Sequence, residues 1–210
     1  MFEFATPAPI AVTVDVLSAT VTVIAADRTD TVVQVRPADP HKKGDVRAAA
    51  QTKVDFTGGE LTVRTPKNLR TYTPFGGNPT IEVTIEVPTG STLKGSAGVG
   101  RIVGIGELGR CDLEIAAGDI SVERPLDSVT AKVAKGDIRI GSAIRGVLRL
   151  DTSMGELEVG IHPGSAVRVE TNAQQGNIAN QLGPVAAAQG ETVEVIARNS
   201  YGNIVIRHAA

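Results

Sequence analysis

The pattern Gly-x-[Ile/Leu]-x-[Val/Ile] begins at Gly118 (GDISV), Gly136 (GDIRI), Gly155 (GELEV) and Gly202 (GNIVI), with a degenerate copy at Gly176 (GNIAN) and an earlier relative at Gly100 (GRIVG). Successive starts lie 18, 18, 19, 21 and 26 residues apart. A short recurring period restricts the chain to architectures built by stacking one unit on the next. GELTV from Gly59 has the same form but falls outside the spacing.

A second phrase precedes the later glycines: DLEIAAG, TAKVAKG, LRLDTSMG, VRVETNAQQG and VEVIARNSYG. Each alternates apolar and polar residues, as a strand with one buried face does. The unit is therefore strand, glycine corner, strand and second corner, the last supplied by loops such as RPLD, SAIR and IHPG. Two strands in roughly 20 residues are too few for a propeller blade, and no helix completes a leucine-rich repeat. An antiparallel sandwich also has short, regularly spaced strands. Recurrence of equivalent positions in one phase favours an all-β, parallel β-solenoid of two strands per 18–21-residue repeat.

In that arrangement the inward positions are Leu113, Ile115, Ile120, Val122, Val133, Ile138, Ile140, Leu148, Leu150, Leu157, Val159, Val167, Val169, Ile178, Val193, Val195, Ile204 and Ile206. Aliphatic stacks suit a chain with no Trp, two Tyr and four Phe. Residues 96–210 then form regular coils. Residues 1–95 hold early coils, an irregular cap and a loop, continuous with the rest as one domain over 1–210. Strands are predicted over 10–16, 20–25, 31–35, 53–56, 60–65 and 80–87, with a helix in 42–51 that Asp45 would N-cap.

The GDI phrases at 118 and 136, the closing SYGNIVIR, the opening PIAVTVDV and ATVTVIAADRTDTVVQVRP, and the YTPFGG loop resemble the bacterial putative-adhesin family in its short actinobacterial form. The likeness spans essentially the whole chain. It implies a β-solenoid and, by the family's name, adhesion at a surface. The family brings no established catalytic residues, so none are carried over.

The residues after the glycines form a column of Asp119, Asp137, Glu156, Asn177 and Asn203. Gly118, Gly136, Gly155, Gly176 and Gly202 supply positive φ at structural corners, and the Asx side chains fasten them by bonding nearby backbone N–H groups. The alternative is a stacked-carboxylate Ca²⁺ site. A second outward column reads Glu114, Lys132, Arg149, Arg168 and Glu194, with ladder pairs Glu114–Lys132 and Arg168–Glu194. Asp137, Lys135, Arg139 and Glu156 would line a groove if the chain bound or cleaved carbohydrate. His41, His162 and His208 are scattered and form neither a zinc set nor a triad. The glycine-rich GSAGVGRIVGIG lacks the Gly-Lys-Ser/Thr of a phosphate loop. No cofactor is implied.

Arg70, Tyr72 and Phe75 put hot-spot residue types on a non-repeating loop, a candidate protein-binding site. Charges of both signs are mixed, 21 basic against 23 acidic for a net charge of −2. There is no basic stripe for nucleic acid and no polybasic amphipathic segment for a membrane. The single Cys111, read as a small buried hydrophobe, and an opening without a basic leader point to the cytoplasm. The expected role is a non-enzymatic interaction or assembly module with protein partners, including copies of itself. A carbohydrate-binding or carbohydrate-cleaving β-helix is the alternative.

Overall fold

The computed structural model of the chain describes residues 1–66, 79–183 and 191–209. The N-terminal part contains β1 (Phe2–Ala5), β2 (Ala11–Ala26), β3 (Asp30–Pro37), α1 (Lys43–Gln51), β4 (Lys53–Thr57), β5 (Glu60–Arg64) and β6 (Ile81–Pro88). Two long strands follow, β7 (Thr92–Leu108) and β8 (Cys111–Pro125). The remainder is β9 (Val129–Lys135), β10 (Ile138–Ala143), β11 (Gly146–Met154), β12 (Leu157–Ile161), β13 (Ala166–Gln175), β14 (Ile178–Asn180), β15 (Thr192–Tyr201) and β16 (Ile204–His208). All sixteen strands join one hydrogen-bonded sheet.

The strands stack into two ladders. The first runs β4-β5-β2-β7-β8-β9-β11-β15-β13, and the second β1-β3-β6-β2-β7-β8-β10-β12-β16-β14. Strands β2, β7 and β8 serve both, passing from one ladder to the other at Ala19, Gly100 and Gly118. In later units the chain breaks into two strands around the equivalent glycine. From β5 and β6 onward the neighbouring strands of each ladder run parallel.

The register keeps like with like. In the second ladder Ile120, Ile138, Leu157 and Ile204 are successive partners, as are Val122, Ile140, Val159 and Ile206. In the first, Cys111, Val129, Leu148 and Val195 form one stack. All twelve are buried. A one-residue slip would turn such a stack to water, so burial itself fixes the register.

Spatial order departs from chain order at both ends, which corrects the expected coil-after-coil stacking. Unit β15–β16 lies between β11–β12 and β13–β14, although β13–β14 precedes it in sequence. Composition accounts for the exchange. β15–β16 offers Val193, Val195, Ala197, Ile204 and Ile206 to the interior, all buried. β13–β14 instead places Thr171 opposite Ala197 and Asn180 opposite Ile206. A unit with polar groups at inward positions costs least at the end of the stack, where water reaches them. Val167, Val169 and Ile178 were expected inside. Val167 and Val169 are only half-buried and Ile178 is 44% exposed, because nothing among the described residues covers that outer side.

The N-terminal end is exchanged in the same way: β5 and β6 pair with the side of β2 that β7 leaves free. Beyond them the pairing turns antiparallel, β4 on β5, β3 on β6 and β1 on β3. Residues 1–95 thus hold two early units, β2 and β5–β6, with antiparallel strands closing the outer edge. The rings of Phe4 on β1 and Phe56 on β4, 5.1 Å apart, tie the ends of the two ladders together. Helix α1 forms as expected, but Lys42 holds the N-cap and makes no side-chain cap bond. Asp45 lies inside the first turn, buried, and its carboxylate accepts bonds from the backbone N–H groups of Asp39 and Thr80. It fastens the helix to the start of β6.

Candidate functional site

The repeat glycines form a continuous column. Gly100, Gly118, Gly136, Gly155, Gly202 and Gly176 all have φ between 131° and 148°. A second constraint was not legible in the motif: a Cβ on any of them would overlap the backbone carbonyl of its neighbour in the column, Ala19 for the first and a glycine for each of the rest. Those carbonyls are also hydrogen-bonded from within. Thr152 Oγ1 donates to the Gly136 carbonyl at 3.0 Å, and Asn199 Nδ2 to that of Gly155 at 2.8 Å.

The adjoining polar column is wired along the stack. Asp119 Oδ1 accepts the Asp137 backbone N–H at 3.2 Å, and Asp137 Oδ1 accepts that of Glu156 at 2.9 Å. Asn203 Nδ2 donates to Glu156 Oε1 at 3.3 Å, while Asn203 Oδ1 accepts the Asn177 N–H at 3.1 Å. The two aspartates also pair with arginines, Asp119 with Arg101 at 3.1 Å and Asp137 with Arg139 at 3.1 Å; two residues on, Glu158 pairs with Arg207 at 2.7 Å. Among the described residues no group of three or more His, Cys, Asp or Glu is placed to hold a metal ion. Asp137, Arg139 and Glu156 do come together; Asp137 and Arg139 line a shallow cleft of about 260 Å³ with Arg101 and Asp119, and the charged groups there are engaged with one another.

Cys111 occupies an aliphatic position in the first ladder, 1% exposed, and burial pushes its thiol up to about 12. A thiol kept protonated and covered is a poor nucleophile. In native protein Cys111 is expected to resist a thiol-specific chromogenic reagent at pH 8 and to react at once after denaturation. Rapid native labelling would show that the first ladder opens. Arg70, Tyr72 and Phe75 lie outside the described residues.

The outward face of the first ladder is different in kind. Register places Ser96, Glu114, Lys132, Asp151, Arg198 and Asn172 in one column. This corrects the expected Glu114–Lys132–Arg149 order: Lys132 faces Asp151, and Arg149 faces Thr130 and Ile196 one column away. The pairs Glu114–Lys132 and Arg168–Glu194 are neighbours as anticipated. Each member of the column stands four residues before its repeat glycine, a spacing present in the sequence. Among the described residues none of Glu114, Lys132, Asp151 and Arg198 lies within 4.0 Å of an opposite charge.

Beside this column runs a groove of about 580 Å³ whose floor includes Ala116, Ala134, Ser153 and Ser200. One residue further along the strands, next to the glycines, Lys135, Met154 and Tyr201 are in register with one another, Met154 51% and Tyr201 52% exposed. Among the described residues no helix is long and apolar enough to cross a membrane.

No protein-family model matches the chain, and no curated protein sequence matches it. Solved bacterial structures do. The chain is similar to a putative cell adhesion protein from Clostridium sporogenes, at 14% identity and a TM-score of 0.51, with 99% of each chain covered. It also matches a putative adhesin from Bacteroides fragilis at 11% identity and a TM-score of 0.43, covering 98% of this chain and 95% of that one. The first likeness is one of fold.

Proposed function

We propose that the chain is a non-enzymatic, adhesin-like interaction module, built as a single β-solenoid, whose partners are proteins, further copies of itself included. One observation carries this reading. The polar groups that mark each repeat are spent on bonds within the stack, whereas the outer face of the first ladder carries a column of four charges with no opposite charge within 4.0 Å among the described residues. A regular face with unpaired charge is suited to recognition rather than to chemistry, since among the described residues no acid, base or nucleophile is set apart from its neighbours. The fold likeness to a bacterial adhesion protein supports the same class.

The carbohydrate alternative relied on Asp137, Arg139 and Glu156, whose side chains are occupied by Glu156 N–H, Glu158 and Asn203. The lone buried Cys111 supports a reducing compartment, and the proposal keeps the module in the cytoplasm. Cross-linking in cells followed by mass spectrometry tests the reading. Cross-links from Lys132 and Lys135 to defined protein surfaces are expected. Specific retention on a glycan array without protein cross-links would overturn it, and labelling of intact cells by an impermeant reagent would move the protein to the surface.

A further inference from the structure

The charge order on the first ladder reads the same when it is reversed and its signs are exchanged. Along β8, β9, β11 and β15 it runs Glu114, Lys132, Asp151, Arg198. Consider a two-fold axis parallel to the strands, midway between β9 and β11, relating two copies face to face. Such an axis keeps each column opposite its own copy and reverses the order along it. Glu114 then meets Arg198 of the second copy and Lys132 meets Asp151, each pair occurring twice. The flanking polar residues Ser96 and Asn172 meet each other.

The next column obeys the same rule. Its order is Lys94, Asp112, Thr130, Arg149, Ile196 and Glu170. Reversal sets Lys94 on Glu170, Asp112 on Ile196 and Thr130 on Arg149. Neither column brings like charges together.

We propose that this face is an isologous interface through which two copies of the chain pack with their ladders antiparallel. The inference rests on reading the chain as a protein-binding module and names its partner as a second copy. Self-complementarity of this kind is what a two-fold interface requires, residue i meeting j and j meeting i. The overlap of six strands is about 24 Å long, from a strand spacing of about 4.8 Å. Seven residues of strand make it about 20 Å wide. That area is near the lower bound for a specific interface, and its contacts are charged, so the dimer is weak and salt-sensitive.

Sedimentation velocity on the full chain tests it, at salt of about 0.03 M and about 0.5 M, where screening differs severalfold. A dimer at low salt that dissociates at high salt is expected. Lys132→Glu alone and Asp151→Lys alone each juxtapose like charges twice and weaken dimerisation by about 100-fold. Mixing the two variants restores it, because Glu at 132 of one copy then faces Lys at 151 of the other. Both positions are on the outer face, and an unchanged circular dichroism spectrum shows that each variant is folded. A wild-type monomer under all conditions, or a dimer that both variants leave intact, overturns the interface. So does a mixture that fails to pair. A monomer leaves the module reading standing if the cross-links in cells reach other proteins, whereas retention on glycans alone removes both.

Discussion

Gly136→Ala is expected to cost the fold about 4 kcal/mol or more, a large part of the stability of an ordinary domain. Two effects combine. The φ of 138° is one that a side-chain-bearing residue adopts only with strain of about 1–3 kcal/mol. The new methyl would also overlap the Gly118 carbonyl oxygen, backbone that is held in the neighbouring unit and has nowhere to go. Gly59→Ala separates the two, since Gly59 has a φ of 80° but no atom within 4 Å of the place its methyl would take. It is expected to cost only about 1–2 kcal/mol, the conformational part. Urea unfolding of both variants measures the difference. Equal losses would mean that neighbouring units are not held as close as the glycine column requires.

Ile138→Ala is expected to destabilise by about 2–5 kcal/mol, and Ile178→Ala by less than about 1 kcal/mol. The two residues occupy equivalent places in the repeat, each two positions after its glycine. Ile138 is fully buried between Ile120 and Leu157, so its loss leaves a cavity walled on both sides. Among the described residues Ile178 pairs only with Ile204 and is 44% exposed, so its loss leaves no cavity walled on both sides. Denaturant midpoints decide the matter. A loss at Ile178 as large as at Ile138 would place a covering element over the β13–β14 end.

The glycine bends and the alternating strands were legible because both are local. A bend needs its Gly within one residue of its Asx, and a strand shows its buried face in its own alternation. The order of the units was not, because pairing is a long-range choice that spacing along the chain does not encode. Thr171 and Asn180 held the clue: the unit with two polar residues at inward positions, against one each (Thr152 and Asn199) in its neighbours, is the one that belongs at an end. The outward charge column shifts between Lys132 and Arg149 when strands are aligned from their starts. Counting back from each glycine brings Lys132 beside Asp151, since the glycine column sets the register. Asn199 carried no signal of its own. It reads as one more polar residue in VEVIARNSYG, yet it is 3% exposed and caps the Gly155 carbonyl.

The functional consequence follows from the same register. Had β13–β14 stacked directly on β11–β12, Asp151 would face Asn172 and the four-charge order would be broken. The exchange of units brings Arg198 into the column and completes its reversal symmetry. A local sequence motif thus sets the bends, while the distribution of apolar residues between two late units sets the outer face.

Disulfide trapping tests that order most directly. In a Cys111→Ser background, cysteines replacing Met154 and Tyr201 occupy paired positions on neighbouring strands. One ladder step of about 4.8 Å lies within the Cα separation that a disulfide spans. Cysteines replacing Met154 and Gln175 stand two steps apart, because Tyr201 lies between them. Mild oxidation is expected to close the 154–201 pair within one chain and to leave 154–175 open. Closure of 154–175 with 154–201 left open would contradict the account, returning the units to chain order and dissolving the column on which the interface depends.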